Sequence, residues 1–233
     1  MAIESWQYNE LEHPGMDFDA IAGGYDQSMQ KFRDVQGEIL EVLAFLDLQP
    51  DQTVLEIGTG TGEFAMAAAQ HCARVYAVDL SAGMLKHAQR KAMSRGVRNV
   101  EFLQGGFLTY KHQGPPLDAV VTQFTLHHLP DLWKQIALIR MAGVLSPGGR
   151  LCLRDVVYSF DINEHESFFD GYLLKASKTA GPEEAERTKA HIKKEYSTMG
   201  WIMKGMLERA GFRVEGEEHR DGFVGLYLCT KLR

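Results

Sequence analysis

The nine residues Val54 to Gly62, Val-Leu-Glu-Ile-Gly-Thr-Gly-Thr-Gly, restrict the fold more than any other stretch of the chain. Thr53, Val54, Leu55 and Ile57, interrupted only by Glu56, have the composition of a short buried strand. Three alternating glycines then stop it. The residues that follow, Glu63 to Gln70, are rich in alanine with Phe64 and Met66, so the turn opens a helix. Its first amides have no partner within the helix and point back toward the loop. Without a Cβ in the way a ligand can approach the main chain there, and the helix dipole favours an anionic group.

Strand, glycine loop and helix serve several kinds of ligand, and the spacing begins to separate them. Gly58, Gly60 and Gly62 are spaced G-x-G-x-G, with the third glycine one position earlier than in the dinucleotide fingerprint G-x-G-x-x-G. No Lys-Ser or Lys-Thr pair follows to make a phosphate-binding P-loop. A second strand is predicted over Arg74 to Asp79, ending in a carboxylate about 20 residues beyond the loop, which places Asp79 at the carboxyl edge of a sheet. An acid there can accept both hydroxyls of a ribose, a role common to more than one class of nucleoside-binding enzyme.

Composition narrows the partner. At 233 residues and 45% hydrophobic content the chain can build one extensive core, and one domain is expected. A net charge of −6 offers no basic footprint for nucleic acid, so a small molecule is the expected partner. Cys72, Cys152 and Cys229 are far apart with no C-x-x-C pair, and read as reduced core thiols. No apolar run approaches the length of a membrane span, and Met1 to Glu10 lacks the basic start and apolar core of an export signal. A cytoplasmic monomer or homodimer without a membrane partner is expected.

The remaining elements alternate. Apolar residues at Val35, Ile39, Val42 and Leu46 predict a helix over Phe32 to Leu46, and Ser81 caps another, with Met84, Leu85 and Ala88 inside, that stops near Gly96. A third strand, Asn99 to Gln104, runs into Gly105-Gly106-Phe107. A fourth, Leu117 to Gln123, precedes Phe124-Thr125-Leu126-His127-His128-Leu129-Pro130 and a helix that ends before Pro147-Gly148-Gly149. The fifth strand is read as Arg150 to Val157. Two polar helices around Gly181-Pro182 fill Tyr158 to Thr198, a helix spans Met199 to Ala210, and a hairpin turning at Arg220-Asp221-Gly222 ends near Cys229. Such an order implies an α/β fold with a mainly parallel sheet covered on both faces.

The run Glu56-x-Gly58-x-Gly60-x-Gly62, the strand-end Asp79 and the His-His-Leu-Pro loop resemble the class I S-adenosylmethionine-dependent methyltransferases, in their small-molecule-type members. The resemblance covers roughly Phe32 to Cys229. It implies a Rossmann-like three-layer sandwich with a seven-stranded sheet and a C-terminal antiparallel hairpin. Residues 1–31 become an arm in which Tyr25-Asp26 folds over the cofactor, and residues about 158–198 a helical substrate cap. S-adenosylmethionine would be held by Glu56, Gly58, Thr59, Gly60 and Gly62 at its amino acid end and by Asp79 at its ribose. Leu80, Met84 and Phe107 would border its adenine, with Gln123 also against the cofactor. Family members usually carry an Asp where this chain has Gly106, which implies adenine recognition by main chain and an apolar surface.

Methyl transfer to an oxygen, nitrogen, sulfur or carbon atom is the implied reaction. It needs alignment and exclusion of water more than acid catalysis. Where the acceptor must lose a proton, His128 and then His127 are the candidate bases. The Asp/Asn-Pro-Pro-aromatic motif and Pro-Cys nucleophile of nucleic acid methyltransferases are absent from the sequence. Aromatic residues in the cap, with Tyr25 and Trp201, point to a flat or apolar metabolite. No metal ligand is assigned and metal dependence stays open, because Asp155 and the histidines show no recognisable ligand spacing. An NAD-dependent oxidoreductase and a non-catalytic cofactor-binding module remain as alternatives.

Overall fold

Val54 and Leu55 are neighbours in sequence and both fully buried, yet they belong to opposite halves of the interior. Successive side chains of a strand point to opposite faces, so a strand of this composition must be covered on both sides. A computed structural model of the chain, described here for residues 6–12, 17–31 and 33–232, shows how. Phe32, the expected start of the core, and the arm before Trp6 lie outside the described residues.

The sheet is built from β1 (Thr53–Ile57), β2 (Arg74–Asp79), β3 (Val100–Gln104), β4 (Leu117–Gln123), β5 (Leu145–Tyr158), the two-residue β6 (Thr198–Met199), β7 (Phe212–Arg220) and β8 (Val224–Lys231). Its order is β3-β2-β1-β4-β5-β8-β7, with β6 pairing β5 off this path. Strands β1 to β5 run parallel, and β8 joins β5 antiparallel before pairing β7 in the same way. The seven expected strands form the path. The eighth, β6, is too short to show alternation.

The helices are α1 (Phe18–Ile21), α2 (Tyr25–Met29), α3 (Val35–Leu46), α4 (Glu63–Ala68), α5 (Ala82–Ser94), α6 (Asp131–Val144), α7 (His165–Ala180), α8 (Pro182–Lys194) and α9 (Gly200–Arg209). Ile39 and Val42 of α3 and Phe64 and Ala65 of α4 cover Val54, Val75 and Val121 on one face. On the other, Leu138 and Met141 of α6 and Met203 and Leu207 of α9 cover Leu55, Val120 and Leu153. Two helical layers thus enclose the sheet, and Cys72, Cys152 and Cys229 are buried free thiols within it. Among the described residues no helix is long and apolar enough to cross a membrane.

Two boundaries differ from the sequence reading. Asp34 caps α3 by accepting the Gly37 amide at 3.0 Å, so the helix begins at Val35. Strand β5 begins at Leu145, before the Pro-Gly-Gly turn, because the β4 register shifts between Leu117 and Ala119 to accommodate it. The aromatic residues of the helical pair pack on Tyr158 at the end of β5 and on Phe223 in the turn between β7 and β8. Phe160 stacks on Phe168 with centroids 4.0 Å apart and Tyr172 on Phe223 at 4.1 Å, while Trp201 is 74% exposed. The helical pair thus forms an aromatic cluster of its own around Tyr158 and Phe223.

Candidate functional site

Strand order reverses at β1, whose neighbours β2 and β4 carry their chains away in opposite directions and leave a crevice at the carboxyl ends. The glycine loop rims it with three residues in left-handed backbone, Gly58 at φ +80°, Gly60 at +53° and Gly62 at +79°. Their reasons differ. A Cβ on Gly58 would meet the Thr125 hydroxyl oxygen at 2.2 Å, and one on Gly62 would press Ala88 of α5 at 3.0 Å. Gly60 has no atom within 4 Å of that position and faces open space. Its amide is turned inward, donating to Asp79 Oδ2 at 2.7 Å, and the Ser81 amide donates to Oδ1 at 2.9 Å. Burial raises the Asp79 carboxyl above its ordinary value while these two amides oppose the rise.

A cavity of about 450 Å³ lies over this rim, within the size range of small-molecule sites. Gly58, Gly60 and Asp79 form its polar side. Leu80, Met84 and Phe107 form an apolar wall, Gly106 lies beside Phe107, and Tyr25, Gln123 and His128 close the remaining sides. These expected residues are therefore brought together. Glu56, Thr59, Gly62 and His127 are not on this wall. Glu56 and Thr59 lie in a smaller crevice behind the loop, shared with Tyr25 and Gln123. There the Thr59 hydroxyl donates to Glu56 at 2.5 Å, and burial pushes the Glu56 carboxyl up to about 8 despite that bond.

The N-terminal segment roofs the cavity, and carboxylates hold it down. Asp19 accepts the Ser81 hydroxyl at 2.5 Å and the Gly83 amide at 2.7 Å, tying α1 to the start of α5. Asp26 bonds the Thr61 hydroxyl and pairs with Lys91 at 2.6 Å, so α2 is fixed above the glycine loop with Tyr25 inside. Arg33, Phe18 and Glu10 also reach the cavity. The sequence reading identified Tyr25-Asp26 but missed Asp19 and Glu10, whose partners are remote in the chain, and Arg33, which pairs with nearby Glu38 and lies over the Phe124 ring.

The two histidines part company. His127 is 6% exposed, and Asp155 Oδ1 bonds its Nδ1 while Asp155 Oδ2 accepts its amide at 2.9 Å. Burial alone would raise the Asp155 carboxyl, but the His127 imidazole and the Val156 amide outweigh it and hold it low. His128 faces the cavity, its Nδ1 lying 3.0 Å from Glu195 Oε2 at the end of α8, and the Phe18 ring meets it edge-on. Ligand-capable atoms of His127, His128 and Glu195 lie within 4.8 Å of one another, a grouping that sequence spacing could not reveal. Among the described residues the pair α7 and α8 contributes nothing to the cavity wall, although Glu195 at the end of α8 stands beside His128.

A family model described as a methyltransferase domain matches residues 54–149. An uncharacterized methyltransferase of Geobacillus kaustophilus is 28% identical over 92% of this chain and 95% of its own length. Among solved structures, an S-adenosylmethionine-dependent methyltransferase from Aquifex aeolicus aligns over 93% of this chain and all of its own, with a TM-score of 0.65 at 22% identity. The magnesium protoporphyrin IX methyltransferase of Synechocystis with bound S-adenosylhomocysteine covers 91% of this chain and 97% of its own, with a TM-score of 0.65 at 18% identity. The cavity suits that cofactor. A Cβ at Gly60 would intrude on a cradle of bare main chain, Asp79 offers acceptors for a ribose, and the apolar wall suits a purine. Over residues 54–149 the chain matches a methyltransferase domain, and site, fold and relatives agree with a class I S-adenosylmethionine-dependent methyltransferase.

Proposed function

We propose that this enzyme methylates a small-molecule acceptor that must lose a proton, with His128 as its base. The observation that carries the reading is the position of His128 on the cavity wall, braced by the Glu195 carboxylate at 3.0 Å. S-adenosylmethionine, when bound, supplies an electrophilic methyl group on a sulfonium. Everything else falls to the protein. Main chain at Gly58 and Gly60 receives the amino acid end, Asp79 the ribose, and Leu80, Met84 and Phe107 the base. The roof formed by the N-terminal segment keeps water from the reacting centre. As an acceptor hydroxyl or amine gains the methyl group, its proton passes to His128, and Glu195 stabilises the imidazolium that results. His127 is assigned a structural part, locking the loop to β5 through Asp155.

A small acceptor is favoured by the cavity volume and by the net charge of −6, which offers nucleic acid no attraction. Residues 158–198 serve in this reading as a cap that tunes the acceptor site through Glu195. The three buried, unpaired thiols fit a cytoplasmic enzyme. The test is methyl release from labelled donor across a panel of hydroxylated and amino metabolites. His128→Ala is expected to lower turnover about 10²- to 10⁴-fold, with S-adenosylhomocysteine affinity nearly unchanged. Glu195→Gln should lower it less and shift the pH profile. Undiminished turnover in His128→Ala would remove the base from this account.

A further inference from the structure

Glu10 belongs to a short 3-10 turn, Glu10–Glu12, yet it is only 6% exposed. Nothing in its own segment explains that burial. Its carboxylate has crossed to the turn after β3, where Oε2 accepts the Leu108 amide at 3.0 Å and the Thr109 hydroxyl at 3.4 Å. There it fills the volume a side chain at position 106 would need. A Cβ on Gly106 would lie 2.5 Å from Glu10 Oε1 and 2.7 Å from the carboxylate carbon. Glu10, Gly106 and Phe107 all face the cavity. Strand order places this turn on one side of Asp79 and the glycine loop on the other. A ligand with its sugar at Asp79 and its charged tail at Gly60 therefore extends its ring toward Glu10.

We propose that Glu10, supplied by the N-terminal segment, recognises the nucleobase of the bound cofactor by accepting the exocyclic amino group of adenine. This rests on reading the cavity as the cofactor's seat. A carboxylate has about four acceptor directions, and a buried one loses free energy for each left unused. The Leu108 amide and the Thr109 hydroxyl donate to Oε2, and the Phe107 amide also donates to the carboxylate, which leaves about one direction for a ligand. An amino group on the ring edge adds a charge-assisted bond, whereas a 6-oxo purine turns an acceptor toward an acceptor and is rejected. Gly106 is glycine in this scheme to make room, since its backbone is outside the left-handed region.

The experiment is calorimetric titration of S-adenosylhomocysteine and its 6-oxo analogue S-inosylhomocysteine, which needs no acceptor. The wild type should prefer the amino form about tenfold or more. Glu10→Gln keeps an oxygen for the Leu108 amide but presents an amide N–H₂, and the preference should collapse to near one or invert. Gly106→Asp alone should abolish binding because two carboxylates collide. Combined with Glu10→Ala it should restore both affinity and preference, by returning a carboxylate to the same volume. A merely structural Glu10 would weaken both ligands equally in Glu10→Gln and leave the ratio intact, which overturns the proposal. Equal wild-type affinities for the two ligands overturn it alone, whereas a wild type that binds neither overturns the cofactor seat as well.

Discussion

Asp79 reaches back from the end of β2 to hold the Gly60 amide at 2.7 Å, so the acid expected to grip a sugar also fixes the shape of the loop beside it. Its other oxygen holds the Ser81 amide. Asp79→Asn leaves one oxygen for two donating amides and sets an N–H₂ against the second. The variant should lose about 1–3 kcal/mol of stability as well as S-adenosylhomocysteine affinity, read by urea unfolding and calorimetry. A loss of affinity with unchanged stability would mean that the loop holds its shape without this carboxylate.

Two loop glycines separated by Thr59 should fail in different ways. Gly58→Ala places a methyl 2.2 Å from the Thr125 hydroxyl in left-handed backbone, and should destabilise the fold by roughly 2–4 kcal/mol. Gly60→Ala meets no protein atom, so it should cost only about 1 kcal/mol while its methyl obstructs the ligand's approach. Chemical denaturation separates the first and titration with S-adenosylhomocysteine the second.

Glu56 ties stability to pH. Burial lifts its carboxyl from 4.5 to about 8, so the folded chain keeps a proton that the unfolded chain has already released across this interval. Its contribution is complete below about pH 4.5 and is lost as pH rises through about 8. Glu56→Gln carries no titrating group and should flatten that part of the curve, gaining on the wild type by a few kcal/mol at the alkaline end. Denaturant unfolding at several pH values checks the sign, and a wild type that gains on the variant as pH rises would refute it.

The roof should loosen before the core. Asp26→Asn weakens the tie to Thr61 and Lys91, and Asp19→Asn the tie to Ser81 and Gly83. Each should cost about 1 kcal/mol, and together they should speed proteolytic cleavage between α1 and α3 several-fold with little change in melting of the sheet. They should also hasten release of S-adenosylhomocysteine, measured by stopped flow.

What could be read from the sequence follows from how local its cause is. The strand β1, the glycine loop and Asp79 are set by alternation, backbone freedom and spacing within some 25 residues, and all stand where expected. The start of α3 was missed, because apolar spacing alone carried the helix back to Phe32 and the capping role of Asp34 was not read. Glu10 was not legible, because its partner Leu108 is 98 residues away and an acid in an irregular segment gives no sign of burial. Likewise Asp155 sits in an apolar strand whose composition hides its grip on His127. Helical spacing of Phe168, Phe169 and Tyr172 showed an apolar face but not what it would meet, and it meets Phe223 and its own neighbours.

Glu195 closes α8, whereas His128 belongs to the loop after β4, and the bond between them joins the inserted helices to the common framework. Anyone transplanting these helices onto a related enzyme to change its acceptor would therefore alter the proton affinity of the imidazole at the same stroke. If His128 is the base proposed above, selectivity and reactivity are wired in series, and a graft that omits a carboxylate at this point should recognise its new acceptor yet turn it over slowly.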